Sequence, residues 1–73
     1  MILVTGATGH LGNVLVRELT ARGEKVRILV LPNESLRSLT GVLVEVITGD
    51  ILDREVLRIA MRGVKKVFHL AGV

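Results

Sequence analysis

The stretch from Thr5 to Gly12 constrains the fold of this chain most, because it places three glycines between an apolar run and a segment of helical periodicity. The apolar run, residues 1–4, is typical of a strand buried on both faces of a parallel sheet. At such a joint Gly6 permits a tight turn, Gly9 lets the backbone approach a bulky anion, and Gly12 lets the helix pack closely on its strand. The free N–H groups and positive dipole end of the helix then predict a phosphate or pyrophosphate site.

The spacing of these glycines leaves two interpretations open. It reads GxxGxxG, one residue wider than the common GxGxxG fingerprint, so a tight turn without a ligand is the alternative to a nucleotide site. The other common phosphate-binding loop is excluded, because Leu11 stands where GxxxxGK[ST] needs glycine and no Gly-Lys-Ser/Thr follows.

The segment after the glycines predicts an amphipathic helix that starts at His10 and is stopped by Gly23. Its apolar residues recur at the helical spacing that defines one buried stripe, which we predict to comprise Leu11, Val14, Leu15 and Leu19. A second helix is expected after Asp53, a good N-cap residue, and ends near Gly63. Its predicted buried stripe comprises Val56, Leu57, Ala60 and Met61.

Three further apolar runs predict strands at Lys25–Leu31, Val42–Ile47 and Lys66–Ala71. The polar segment Pro32–Gly41 predicts a loop, in which Glu34–Leu39 could form a turn or two of helix with Leu36 and Leu39 pointing inward.

Strands that alternate with helices imply an α/β fold with a parallel sheet and right-handed crossovers, for which we predict the strand order 3-2-1-4. In that order, strands 2 and 3 are added on one side of strand 1 and strand 4 is added on the other. Ligands bind beyond the carboxyl ends of the strands at such a switch point. Four loops are expected to meet there: Gly6–Gly12, Leu31–Asn33, Gly49–Leu52 and Ala71–Val73.

Composition narrows the function classes. A chain of 73 residues makes one small domain at most, and one of this size buries only about 60% of its unfolded surface. The net charge of +3 is dispersed, only Lys65 and Lys66 are adjacent cations, and Phe68 is the single aromatic residue, so we expect no nucleic-acid partner. No apolar run approaches the roughly 20 residues of a membrane span and there is no cysteine, so we expect no membrane association, no disulfides and a cytoplasmic location.

Three motifs in order carry a family resemblance that covers the whole chain. Residues 4–12 (VTGATGHLG), residues 49–51 (GDI) and residues 67–72 (VFHLAG) resemble the N-terminal part of an extended short-chain dehydrogenase/reductase. The closest likeness is to the NAD-dependent epimerase/dehydratase group, including dihydroflavonol-reductase-like proteins. The resemblance implies that residues 1–73 are the N-terminal portion of a Rossmann-type NAD(P)-binding domain, an incomplete doubly wound sheet from which the substrate-binding part is absent.

The resemblance also implies where the cofactor lies. The pyrophosphate is expected over Gly9–Gly12, and the adenine near Asp50 and Ile51. A loop carboxylate could accept a hydrogen bond from the adenine amino group, whereas the alternative for Asp50 is that it only caps a turn. The candidate cofactor-binding residues are Gly6, Thr8, Gly9, His10, Leu11, Gly12, Leu31, Asn33, Arg37, Asp50, Ile51, Leu70, Ala71 and Gly72.

The choice between NAD and NADP depends on the end of strand 2, where an acid binds the ribose 2′-hydroxyl and a base accommodates a 2′-phosphate. This chain has Leu31 there, where similar proteins often carry arginine. Arg37, with Asn33 and Ser35, could reach a 2′-phosphate from the following loop, or could lie on the solvated surface. We expect a slight preference for NADP.

The two histidines predict no metal site. The side chain of His10 is expected to lie on the surface. His69 stands in an apolar strand and is expected to be a packed core residue rather than a ligand, because no second histidine or cysteine stands at metal-ligand spacing.

The resemblance implies a catalytic Tyr-x-x-x-Lys, yet the chain contains no tyrosine. We therefore assign no catalytic residue and expect the chain alone to be inactive. It could be a portion of an oxidoreductase or epimerase whose small-molecule substrate is bound by a longer chain. The alternatives are a non-catalytic nucleotide-binding module and a half-domain that forms homo-oligomers through its exposed sheet edge.

Overall fold

The computed structural model describes residues Met1–Leu70 and contains one parallel sheet with a helix on each face. The strand order β3-β2-β1-β4 confirms the order predicted from the sequence. The strands are β1 (Ile2–Thr5), β2 (Val26–Val30), β3 (Glu45–Thr48) and β4 (Lys66–His69). The helices are α1 (His10–Ala21) and α2 (Arg54–Ala60), with one 3-10 turn at Arg37–Leu39. No helix within this described range is long and apolar enough to cross a membrane.

The two faces of the sheet form two separate hydrophobic clusters, because successive side chains of a strand point to opposite faces. The face toward α1 is the larger and centres on Val4 and Ile28, which are fully buried beside Val16. The face toward α2 centres on Leu3 and Leu29, which pack against Ala60. Both central strands are covered on both faces, as their continuous apolar sequences indicate.

The buried stripe of α1 differs from the predicted one. Leu15 and Leu19 do pack against the core, but Leu11 and Val14 are exposed, and Gly12 and Val16 are buried in their place. The helix is rotated about its axis relative to this prediction, because Gly12 packs against the backbone of the Gly6 turn. This contact places Val16, one helical turn later, against the sheet. A glycine carries no apolar side chain, so a hydrophobic stripe cannot include it.

Helix α2 begins as predicted, with Asp53 as its N-cap accepting a hydrogen bond from Glu55 N at 2.9 Å. Its stripe is narrower than predicted, because Ala60 is buried while Leu57 and Met61 are more than a third exposed. A helix of seven residues covers only a small area of the sheet.

The third strand begins later than the sequence suggests. Val42 N donates to Leu39 O in a turn that follows the 3-10 turn, so pairing starts only at Glu45. Val42 and Val44 nonetheless pack against the α1 cluster. In the preceding turn Leu39 is buried as expected, whereas Leu36 is exposed.

Arg27 joins the sheet to the end of α2. Its guanidinium pairs with Glu45, Nε to Oε1 at 2.9 Å, and its Nη1 donates to Ala60 O and Arg62 O, both at 2.7 Å. The Arg27 side chain is only 10% exposed, whereas that of Glu45 is 48% exposed. The charge is therefore stabilised mainly by the carbonyl oxygens at the helix C-terminus, where a cation is favoured.

We predict that Arg27→Met lowers the free energy of unfolding by about 2 kcal/mol, because two carbonyl oxygens at the end of α2 lose their donor. The matched control is Arg58→Met, which removes an exposed ion pair with Glu55 and should change stability by less than about 0.5 kcal/mol. Urea unfolding followed by circular dichroism measures both. Equal effects of the two substitutions would contradict the role assigned to Arg27.

Candidate functional site

A cavity of about 650 Å³ lies at the carboxyl ends of the strands, on the line where chain growth reverses between β1 and β4. Its volume is within the usual range for ligand pockets. Three of the four loops predicted to meet there line the cavity, together with the end of β4. The fourth loop, residues 71–73, lies outside the described residues. The lining residues are Thr5, Gly6, Thr8, Gly9, Leu29, Val30, Leu31, Glu34, Gly49, Asp50, Ile51, Leu52, His69 and Leu70.

The glycine loop is a tight turn held against the first turn of α1. Gly6 has a φ of 72°, a conformation that side chains disfavour, and Gly9 N donates to Gly6 O at 3.2 Å. A Cβ on Gly12 would lie 2.0 Å from Gly6 O and 2.8 Å from Ala7 Cα. The absence of a side chain at Gly12 thus lets the helix approach the backbone of the glycine loop. The sequence had suggested that it lets the helix approach the strand.

The N-terminus of α1 is open to a ligand. Its N-cap is Gly9, which supplies no side-chain cap, and the first turn has no acidic residue. Asn13 does not fill the gap, because its Nδ2 donates to the carbonyl oxygens of Gly9 and His10, each at 2.9 Å.

Helix α2 shows the opposite arrangement in the same chain. Asp53 caps it and Glu55 lies in its first turn, so its N-terminus is already neutralised by the chain's own carboxylates. The two helix starts therefore differ in what they offer an anion. Only the start of α1 adjoins the cavity with its N–H groups uncapped by side chains.

Glu34 fastens the loop after β2 to the glycine loop. Its Oε1 accepts a hydrogen bond from Leu31 N at 2.9 Å, and its Oε2 accepts one from the hydroxyl of Thr8. Ser38 adds a second link by donating to Thr8 O at 3.0 Å. These bonds hold the Glu34 carboxylate at the cavity wall beside the glycine turn.

Asp50 caps a turn, one of the two roles that the sequence left open to it, and it also lines the cavity. Its Oδ1 accepts a hydrogen bond from Leu52 N at 2.8 Å and so closes that turn. Gly49 positions this loop, because a Cβ there would lie 2.7 Å from both methyl groups of Val56. The carboxylate is therefore held in place with its second oxygen unused by this turn.

The expectation that His69 is a packed core residue is wrong. Its side chain is exposed at the end of β4, lines the cavity, and lies with Nδ1 2.6 Å from Thr5 Oγ1 on the neighbouring strand. The two residues are register partners on the face that carries the smaller cluster. In the described part of the chain β4 is an edge strand, so this face is less covered there than at β1.

Seven of the candidate residues line the cavity: Gly6, Thr8, Gly9, Leu31, Asp50, Ile51 and Leu70. His10, Leu11 and Gly12 contribute the first turn of α1 beside it, with the His10 side chain exposed as expected. Asn33 and Arg37 are exposed and do not line it, and Ala71 and Gly72 lie outside the described residues.

Glu34 is a charged lining residue that the sequence reasoning missed. The signal was present, since it follows Gly12 by 22 residues and the dinucleotide fingerprint has an acid about 20 residues on. Within residues 1–70 no group of three or more His, Asp or Glu side chains could hold a metal ion.

The parallel sheet, its order and the glycine turn before an open helix define a Rossmann-type domain. The model of the NmrA-like family matches residues 1–72, and the chain belongs to that family.

Three known proteins illustrate the relationship. Sterol demethylase protein B of Methylococcus capsulatus is 51% identical over 70 residues, which cover 96% of this chain and 21% of that protein. The crystal structure of gox2253 has a TM-score of 0.91 and 38% identity, covering all of this chain and 22% of that one. A short-chain dehydrogenase/reductase superfamily protein from Agrobacterium tumefaciens, solved with bound NAD, has a TM-score of 0.78 and 38% identity over all of this chain and 20% of its own.

These matches confirm the resemblance to short-chain dehydrogenases/reductases. The chain spans about a fifth of the length of these relatives.

We predict that Gly12→Ala lowers the free energy of unfolding by about 3 kcal/mol or more, because the new Cβ overlaps loop backbone that cannot move without breaking the turn. Gly9→Ala is the matched control, since its Cβ would lie 3.4 Å from Gly6 O and the cost should be limited to about 1 kcal/mol at an N-cap. Chemical denaturation of both variants makes the comparison. A Gly12→Ala protein as stable as Gly9→Ala would refute the close approach.

Proposed function

We propose that this chain is the NAD(P)-binding portion of an oxidoreductase or epimerase of the extended short-chain dehydrogenase/reductase type. The observation that carries the proposal is the uncapped N-terminus of α1 beside a cavity at the switch point of the sheet. The NAD-bound relative from Agrobacterium tumefaciens, with the same fold over this whole chain, supports it.

The pyrophosphate is proposed to bind at the first turn of α1, on the backbone N–H groups of His10, Leu11 and Gly12. Among the described lining residues there is no lysine or arginine. Backbone donors and the helix dipole are then the groups that stabilise the phosphate charge, which explains why the chain leaves this helix start free of acids while filling the other.

The adenine is proposed to lie by the loop after β3. There Asp50 would accept a hydrogen bond from the adenine amino group through the oxygen not used by Leu52, and Ile51 would supply an apolar surface. Leu31 lines the cavity from the neighbouring loop, and its side chain is 53% exposed. A bound adenine would cover this apolar side chain, which favours binding.

The chain binds the cofactor without turning it over, in this proposal. The resemblance to this superfamily implies a catalytic tyrosine, and this sequence has none. Substrate binding and hydride transfer would belong to polypeptide outside these 73 residues. The chain spans only about a fifth of the length of its relatives, which agrees with this division.

A second candidate is self-association through β4. Val67 is 43% exposed on this strand, and β4 is an edge of the described sheet. An unpaired apolar edge favours pairing with another copy. Light scattering that shows a monomer at high concentration would count against this candidate and leave the cofactor site untouched.

We predict that Asp50→Asn weakens NAD binding about tenfold. The one oxygen left in the asparagine amide keeps the turn with Leu52 N, so an NH₂ group replaces the free acceptor and cannot bond the adenine amino group. Asp53→Asn is the matched control, because it removes the same charge three residues away and asparagine is an equally good N-cap.

Isothermal titration with NAD, NADP and ADP measures these affinities. We expect binding of all three by the parent chain and no consumption of NADH. Absence of binding by a folded chain would overturn the proposed function, and equal losses in both aspartate variants would overturn the adenine assignment alone.

A further inference from the structure

The carboxylate of Glu34 is fixed in the wall of the cavity. It lies between the loop after β2 and the glycine loop, bonded to Leu31 N on one side and to the Thr8 hydroxyl on the other. Each carboxylate oxygen accepts one of these bonds and has capacity for a second. A sugar hydroxyl that enters the cavity here meets an acceptor already fixed in place.

The charges around the cavity favour the same cofactor. Its described lining contains two carboxylates, Glu34 and Asp50, and no lysine or arginine. A 2′-phosphate beside Glu34 would place like charges in contact without a cation among the lining groups, and such a contact is unfavourable. A 2′-hydroxyl in the same place would donate a charge-assisted hydrogen bond.

Arg37 is the cation on which the expectation of NADP depends. It begins the 3-10 turn, is exposed, and does not line the cavity, whereas Glu34 is half-buried and does. The hydrogen bond from the Ser38 hydroxyl to Thr8 O holds the 3-10 turn against the glycine loop. The geometry thus brings the acid, and not the base, to the site.

We propose that Glu34 makes this chain selective for NAD over NADP, by accepting a hydrogen bond from the ribose 2′-hydroxyl and repelling a 2′-phosphate. This inference rests on the proposed function and reverses the preference expected from the sequence. It assigns specificity to a residue three positions after the end of the strand-2 run rather than to Leu31 itself.

The test compares the ratio of the NADP and NAD dissociation constants in the 73-residue chain and three variants. We expect the parent chain to bind NAD at least about tenfold more tightly, and Glu34→Gln to reduce that ratio about tenfold, chiefly by strengthening NADP binding. Glutamine keeps an acceptor for Leu31 N and an amide that can bond the Thr8 hydroxyl, so the loop contacts are preserved.

Two control variants test whether the selectivity depends on the Glu34 carboxylate rather than on a distant carboxylate or on Arg37. Glu24→Gln removes the same charge before β2, at the opposite end of the strand, and should leave the ratio unchanged. Arg37→Ala should also leave it unchanged, whereas a selective loss of NADP binding in that variant would establish Arg37 as the phosphate ligand and overturn the inference.

The outcomes distinguish this inference from the function on which it rests. A parent chain that binds both cofactors but prefers NADP, or a Glu34→Gln ratio equal to that of the parent, overturns the role of Glu34 and leaves dinucleotide binding intact. A folded parent chain that binds neither cofactor overturns both. Parent selectivity and the Arg37→Ala result decide the question even if Glu34→Gln fails to fold.

Discussion

The close approach of α1 to the Gly6 turn is the constraint on which the rest of this structure depends. A side chain at Gly12 would overlap the loop backbone, so the helix reaches its position only because that residue has none. The contact fixes the rotation of the helix, which buries Val16 on the sheet and exposes Leu11 and Val14. It also fixes where the first N–H groups of the helix lie, so packing and the candidate anion site have one cause.

The two helices of the chain use the same backbone chemistry for different ends. Helix α2 has side-chain partners at both ends, because Asp53 accepts a hydrogen bond from Glu55 N and Arg27 donates one to Ala60 O. Helix α1 has no such side-chain partner at its start. Unfilled N–H groups at a helix start need a partner, and the proposed dinucleotide would supply the missing negative charge.

Much of the architecture followed from local pattern. Alternating strand and helix periods predicted a parallel sheet, and the handedness of crossovers predicted the order that the structure confirms. The start of β3 was harder to place, because Val42 and Val44 are apolar for packing without taking part in the ladder. His69 was misplaced for a related reason, since an apolar neighbourhood in sequence does not say which strand is an edge.

The sequence by itself determined the fold class and the end of the sheet at which the loops meet, because strand and helix periods and glycine spacing are local properties of the chain. The family followed from its resemblance in three motifs. Only the tertiary structure decided which loop residues reach that site. Glu34 and Arg37 are three residues apart in one polar segment, and only Arg37 was expected at the site. The folded chain separates them, because hydrogen bonds from Leu31 N and Thr8 hold the acid at the cavity wall, while the 3-10 turn leaves Arg37 exposed.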